Sequence, residues 1–416
     1  MDAAALLAMV RGALGDPAPA RLGVAVSGGS DSVALLCLLA QLQRAARTTL
    51  SVISVDHGLR HAARAELETV RALCTDLGIE QHIEYWTGWD GGGNMQAAAR
   101  TARYDLIADW AVGNDIDVVA VGHTANDQAE TVLMRLARGS GVDGLSAMAE
   151  RRRHNGIDWL RPLLGAQRRD LRAYLTARGT PWVEDPSNED ADFERVRVRS
   201  ALQLLEPLGL DAQALGQVAR NMGQARDALN LAAWQAAREV AVVDLGAVRL
   251  DLGRWQGLPA EIARRLLVHS VRWISGAVYP PRRASIDQLM AALTGGRAAT
   301  LAGVQLEHLG DEAWLFREYA AVEAASGTVE DLWDDRWSLE GEADTDALSV
   351  RAIGPDGLAQ IEGWRDLGLP RAALLSLPGV WEGPVLRGAP VQGGPDEWQI
   401  EIADGDASYY DTLLSH

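Results

Sequence analysis

The chain has 416 residues, 48% of them hydrophobic, enough for two or three domains with real cores, and no apolar run reaches the ~18 residues of a membrane-spanning helix. Its formal net charge of −18 is uneven: residues 311–416 carry 22 acidic residues against 6 arginines, whereas residues 1–310 carry 35 against 33. All 39 basic residues are arginine, which excludes a catalytic lysine, a Schiff base and a P-loop lysine.

The opening, MDAAALLAMVRGALGDP, reads as an amphipathic helix. It has neither the basic start nor the cleavage site of a signal peptide. From residue 21 to about 185 the pattern alternates. Strands are predicted at 21–27, 49–56, 80–86, 117–122 and 158–164, and helices at 31–46, 60–77, 94–113, 126–138 and 166–178. That alternation predicts an α/β fold with a doubly wound parallel sheet. Ligands of such sheets sit beyond the C-terminal ends of the strands, so the loops at Ser27–Ser32, Asp56–His57 and Gly122–His123 should meet in one crevice. Residues 186–310 read as mostly helical, with helices at Ala201–Glu206 (stopped by Pro207), Ala212–Ala241 and Pro259–Ile274. From 311 the chain is acidic and rich in Gly, Pro and Trp, with strand-like runs at Ala313–Arg317, Leu348–Ile353 and Trp398–Ile402. The expected division is a catalytic domain at 1–200, a helical linker domain at 201–310 and a small α/β C-terminal domain at 311–416. Cys37 and Cys74 fall in helical segments and form no Cys-x-x-Cys pair, as expected of core residues in a reducing cytoplasm.

Chemistry concentrates in four places. Between a predicted strand and helix stands Ser27-Gly28-Gly29-Ser30-Asp31-Ser32. Glycines let backbone N–H groups approach an anion, and the helix start behind them adds about half a positive charge, giving a phosphate cradle without a lysine. Asp56 ends an apolar run, where it either meets a ribose or adenine group or caps the next helix. Gly91–Gly93 lead into a helix capped by Asn94, and Arg100 and Arg103 share one face of that helix, within reach of surface acids or phosphates. In His123-Thr124-Ala125-Asn126-Asp127-Gln128-Ala129-Glu130, Asp127 and Glu130 share a face near a helix N-terminus. They either complement the helix dipole or recognise a cation, Mg²⁺ or an ammonium group, with His123 beside them at the strand exit.

The hexapeptide at Ser27 resembles the pyrophosphate loop of the PP-loop ATP pyrophosphatases. GHTANDQAETVLMRLARGSGVDGLSAM, from Gly122, resembles the signature of the tRNA(Ile)-lysidine synthase family. SGGSDS, VDHGLR, AARTARY, RPLL at Arg161–Leu164 and VEDPSNEDADFERVRVR at Val183–Arg199 follow in that family's order. The likeness is strong over 20–200, weak through the linker, and returns at Leu367–Leu386. It departs at Val196, where the family often has asparagine.

The resemblance implies an adenine nucleotide alpha hydrolase-like catalytic domain followed by a linker and a tRNA-binding-type terminal domain. It implies ATP-dependent adenylation of the wobble cytidine of the tRNA(Ile) bearing a CAU anticodon. The amino group of free lysine then displaces AMP. Ser27, Gly28, Gly29, Ser30, Asp31, Ser32 and Asp56 would bind ATP, and Asp31 would hold Mg²⁺. Asp127 and Glu130 would receive the cationic lysine, His123 or one of those carboxylates would take the proton, and Arg103 would bind a phosphate. Arg195, Arg197 and Arg199 would lie on tRNA backbone or pair with Asp190, Asp192 and Glu194. Arginine clusters at 151–153, 168–172, 264–265 and 282–283 are further RNA candidates. The alternatives are a cytidine thiolase, which the two scattered cysteines disfavour, an ammonia-using PP-loop enzyme, for which no amidase constellation exists, and a non-catalytic nucleotide-binding module. Whether two copies form a homodimer stays open.

Overall fold

The computed structural model describes residues 1–56, 58, 63–89, 95–184, 194–341, 347–391 and 398–414. They fall into two compact units, Met1–Arg226 and Asp227–His416.

The first unit contains α1 (Ala3–Leu14), β1 (Arg21–Ala25), α2 (Ser30–Ala46), β2 (Thr49–Asp56), α3 (Ala63–Leu77), β3 (Glu80–Tyr85), α4 (Met95–Gly113), β4 (Val118–Val121), α5 (Ala125–Ala137), the single turn α6 (Val142–Leu145), β5 (Arg151–His154), β6 (Ile157–Leu160), α7 (Arg168–Arg178) and α8 (Glu194–Leu205). The long helix α9 (Ala212–Val240) begins here and ends in the second unit. The strand order is β3-β2-β1-β4-β6-β5, parallel throughout except β5, which pairs antiparallel with β6. The four residues of β4, Val118–Val121, are all buried, as continuous apolar strands are when helices cover both faces. The same demand makes α2 apolar nearly all round: Ser32 through Leu39 are buried, in a core shared with Leu6, Val10, Val24, Leu160 and Leu171. Gly23 in β1 lets the opposite layer close, since a Cβ there would stand 3.0 Å from the Trp110 and Val119 side chains.

The alternation read from the sequence is present, with one addition. Residues 151–154 form an edge strand, so the arginine cluster at 151–153 lies on the sheet margin. Arg151 and Arg153 both reach Asp158, at 3.3 and 3.5 Å. Charged side chains there disfavour pairing with another strand.

The second unit continues with β7 (Ala241–Asp244), β8 (Ala247–Asp251), α10 (Leu252–Trp255), α11 (Ala260–Ser275), α12 (Arg283–Thr294), β9 (Ala299–Leu301), β10 (Val304–Leu309), β11 (Glu312–Arg317), α13 (Tyr319–Val322), β12 (Ser326–Gly327), β13 (Trp337–Gly341), β14 (Ser349–Ala352), α14 (Gly354–Leu358), α15 (Arg371–Leu375), β15 (Pro378–Glu382), β16 (Val385–Gly388), β17 (Trp398–Ile402) and α16 (Ser408–Asp411). Residues 201–310 are helical at 212–240, 260–275 and 283–294, and they also give four strands to a five-stranded antiparallel sheet ordered β7-β8-β11-β10-β9. The β10–β11 hairpin crosses residue 310, so this sheet draws on both sides of that position. α11 lays Leu266, Leu267, Val271 and Ile274 into its core, where the half-buried His269 ring meets the carbonyl of Tyr409 at 2.6 Å. A four-stranded sheet (β12-β14-β15-β16) and the β13–β17 pair share a second core built around Trp333, Trp337, Trp381 and Trp398.

Candidate active site at the switch of the parallel sheet

In the first unit the strand order turns at β1. Strands β2 and β3 lie to one side and β4 to the other, so the loops leaving β1 and β4 part and open a crevice. A cavity of about 590 Å³ occupies it, lined by the Ser27–Ser32 loop, Asp56, Glu66, Arg103, the Val121–His123 strand end, Asp127, Arg168, Arg172, Glu184 and Arg199. The three loops expected to meet do so through Ser27–Ser32, Asp56 and Gly122–His123, while His57 lies outside the described residues, as do Gly91–Gly93 and Asn94.

The loop is shaped for an anion. Gly28 holds φ +90°, which a side chain would resist. Gly29 caps α2 with no side-chain hydrogen bond to the first-turn amides. Those donors, at the positive end of a 17-residue helix, therefore face the cavity with no capping side chain. The Ser32 hydroxyl accepts from Ser27 N at 3.2 Å and donates to the Gly29 carbonyl at 3.1 Å, so it closes the loop on itself. Ser30 donates to Asp31 Oδ1 at 3.0 Å. Val183 N donates to the Gly28 carbonyl at 2.9 Å and pins the 182–184 segment against the turn. At the end of β4, a Cβ on Gly122 would sit 2.9 Å from the backbone N and Cα of Ser32. Only glycine lets the end of β4 approach the first turn of α2 so closely.

The acids and cations of the cavity are interlocked. The Arg168 guanidinium bridges two carboxylates, Nε to Asp31 Oδ2 at 2.9 Å and Nη2 to Asp127 Oδ1 at 3.4 Å. The other Asp127 oxygen accepts from the backbone N and the hydroxyl of Thr124, each at 2.8 Å, completing a capping box on α5. Burial pushes the Asp127 carboxyl up, but Arg168, His123 and the Thr124 bonds outweigh it and hold it below the usual range. His123 lines the cavity as a neutral imidazole. Burial pulls it down to about 3, aided by Arg161, Arg100 and Arg103 against the attraction of Asp127. Its Nδ1 is buried and has no hydrogen-bond partner among the described residues.

Arg103 reaches the cavity with its charge uncompensated: its guanidinium lies 5.7 Å from the Tyr104 ring and forms no ion pair among the described residues. Asp56, 8% exposed, accepts from Gly58 N at 2.9 Å. The next described helix, α3, is given from Ala63, and the residues between Gly58 and Ala63 lie outside the described residues.

Glu130 is placed differently from Asp127. It is 1% exposed, does not line the cavity, and takes the Nε–H of Arg199 on Oε1 at 2.6 Å, with Arg195 Nε 4.0 Å from Oε2. Burial pushes its carboxyl above the usual range despite Arg199. The segment 195–199 is helical, so Arg195 and Arg199 turn inward on one face while Arg197 is exposed. Glu194 pairs with Arg138 at 2.7 Å, and Asp190 and Asp192 lie outside the described residues. Of the anticipated acid pair, the structure brings only Asp127 to the cavity.

Asp31 and Asp127 each direct an oxygen at the same cation. Two hard oxygen donors converging beside a phosphate cradle suit Mg²⁺, which takes one or two carboxylates plus phosphate oxygens and water. The residue whose place the sequence hid is Arg168, read there only as an RNA candidate. Its signal was an arginine at the first position of α7, where the helix dipole disfavours a cation unless acids face it.

Comparison with known proteins agrees with this architecture. A family model described as a PP-loop domain matches residues 6–205. A tRNA(Ile)-lysidine synthase of Ruegeria pomeroyi is 46% identical over 96% of this chain and 95% of its own length. Proteins of the same name from Mesorhizobium japonicum (35% identity, 89% of this chain and 84% of the relative) and Wolbachia pipientis (34% identity, 76% of each) are also similar.

Proposed function

The chain belongs to the tRNA(Ile)-lysidine synthase family, and from that premise we propose that the cavity of the first unit adenylates the wobble cytidine of the CAU-anticodon tRNA(Ile) and then joins lysine to its C2 position. The enzyme is an ATP-using ligase that forms lysidine in tRNA. The observation that carries the proposal is the composition of one cavity, which gathers uncapped helix amides, Arg103 and the Asp31–Arg168–Asp127 cluster.

In the first step the C2 oxygen of cytidine attacks the α-phosphorus of ATP, and the bond to the bridging oxygen of pyrophosphate breaks. The amides of Ser30–Ser32 face the charge that builds on the departing pyrophosphate, already oriented, so little reorganisation is needed. Arg103 holds a phosphate oxygen with a permanent charge. Asp31 is the residue to hold Mg²⁺, which when bound neutralises phosphate charge. Asp56, at the end of β2, faces the nucleoside portion.

In the second step a lysine amine attacks C2, the C–O bond to AMP breaks, and the nitrogen sheds a proton. Asp127 supplies the negative charge that receives the ammonium. Glu130 acts at one remove by fixing Arg199 at the cavity wall. Neutral His123 is the proton acceptor: phosphate charge in the cavity opposes the arginines that now depress its basicity. For tRNA backbone, exposed Arg197 on α8 and exposed Arg152 on β5 are candidate guanidinium contacts, and the terminal domain is a second candidate contact.

The test is transfer of labelled lysine to the CAU transcript with ATP and Mg²⁺. Asp31→Ala should abolish pyrophosphate release. Asp127→Ala should spare adenylation more than lysine transfer. Equal loss of both steps would overturn this division of roles.

A further inference from the structure

We infer that Arg168 is a built-in stand-in for the substrate cation and makes lysine binding conditional on prior occupation of the phosphate cradle. Arg168 reaches the acid cluster from a fixed base: its backbone N donates to Asn126 Oδ1 at 2.9 Å, tying the start of α7 to the start of α5. Its side chain is the movable part. The guanidinium makes its closer contact with Asp31, at 2.9 Å, and the longer one with Asp127, at 3.4 Å, and it is more exposed (23%) than either carboxylate (17% and 10%).

Without nucleotide, an ammonium seeking Asp127 meets a guanidinium already there, and like charges at such separations repel. A polyphosphate on the loop amides supplies oxygens that a planar guanidinium binds in pairs. Asp31 is the loop's own acid and stands where those phosphates lie, so Arg168 can turn toward them without losing that side of the cluster. The Asp127 oxygen at the 3.4 Å contact is then left for the amine. The same sequence of events keeps lysine off an enzyme that holds no nucleotide with which to activate the cytidine. By linkage, lysine and nucleotide must strengthen one another's binding by the same factor. This rests on the reading of Asp127 as the amine-binding residue.

The experiment is equilibrium dialysis of labelled lysine against the full chain, with and without saturating α,β-methylene ATP. The native protein should bind lysine at least tenfold tighter with the analogue. Arg168→Gln should bind lysine at least tenfold tighter than the native protein when no nucleotide is present, and the analogue should then add less than threefold. A merely structural arginine predicts weaker binding in that variant. Arg168→Lys, which keeps a cation at the position, should bind lysine weakly without nucleotide. If Arg168→Gln does not fold, Asp31→Asn with Arg168→Gln, which removes one charge of each sign, carries the same expectation. Unchanged coupling, or weaker lysine binding in Arg168→Gln, overturns the inference. Asp127→Asn separates the two claims: if it leaves lysine affinity untouched, the assignment of the amine site fails; if it weakens lysine while Arg168→Gln does not strengthen it, only the gating role fails.

Discussion

Replacing Arg199 by methionine should destabilise the first unit, and the loss should depend on pH in a defined direction. Glu130 is 1% exposed, and its closest partner among the described residues is the Arg199 Nε at 2.6 Å. Oε2 has no hydrogen bond among the described residues, and Arg195 stands off at 4.0 Å. Removing one member of a buried pair costs about 3–5 kcal/mol, because the remaining charge is stranded. For a unit of this size each kcal/mol moves Tm by about 2–4 °C, so the fall should be roughly 6–20 °C near pH 8.

The carboxyl already titrates above the 4.5 of a free glutamate because of burial, and without Arg199 it must rise further. Below pH 4.5 both folded and unfolded chains hold the proton and the variant carries little ionic penalty. As pH climbs from 4.5 through the folded value, the unfolded chain sheds the proton first, so stability falls and then levels off. The deficit should therefore be small at pH 5 and full at pH 8. Arg195→Met, at a 4.0 Å contact with the arginine 42% exposed, should cost no more than about 1 kcal/mol. Adding Glu130→Gln to Arg199→Met should restore most of the loss. Thermal melts of the three variants from pH 5 to 8 check this. Equal deficits at both ends, or an Arg195 variant as damaged as the Arg199 variant, would refute the reasoning.

Gly122→Ala should lower ATP affinity at least tenfold in a direct binding assay while Gly29→Ala, whose Cβ meets only the Ser27 hydroxyl at 3.9 Å, does far less; similar losses would dismiss the backbone clash as the cause. In the second unit, burial holds His269 down to about 4, below the 6.5 of a free imidazole. Unfolding therefore takes up a proton between those values, and stability should drop by roughly 3 kcal/mol as pH falls from 6.5 to 4. His269→Gln should flatten that slope in urea titrations. Cys37 and Cys74 are buried, and burial pushes both thiols up, Cys74 to about 11; neither should react with a thiol reagent until the first unit is denatured.

The parallel sheet was legible because β1, β2 and β4 are short apolar runs closed by loops, and because periodicity changes at Ser27, Asp56 and Gly122. The phosphate cradle followed from composition, since a Gly-Gly turn between strand and helix leaves amides exposed. The second unit was harder. Its β7–β8 hairpin follows directly on a 29-residue helix and turns at Leu245 and Gly246, both at positive φ, without the Asn-Gly or Asp-Gly pair that marks such turns. The partnership of acids and arginines was hidden for another reason. Asp127 and Glu130 share a helix face, but Arg168 and Arg199, which sort them into a cavity group and a buried group, lie about 40 and 70 residues downstream, and nothing local couples them.

The cations lining the cavity of the first unit are all guanidinium groups, Arg103, Arg168, Arg172 and Arg199, in a chain with no lysine. A guanidinium keeps its proton throughout the range in which enzymes are assayed. A lysine side-chain amine loses its proton near pH 10.4 and must be neutral to attack. Protein and substrate thus titrate in separate ranges, and the alkaline limb of a pH–rate profile for lysine transfer should read the nucleophile itself. Replacing lysine by an analogue with a less basic amine should slide that limb toward neutrality by the difference between the two amines, while the guanidinium groups of the cavity stay charged across it.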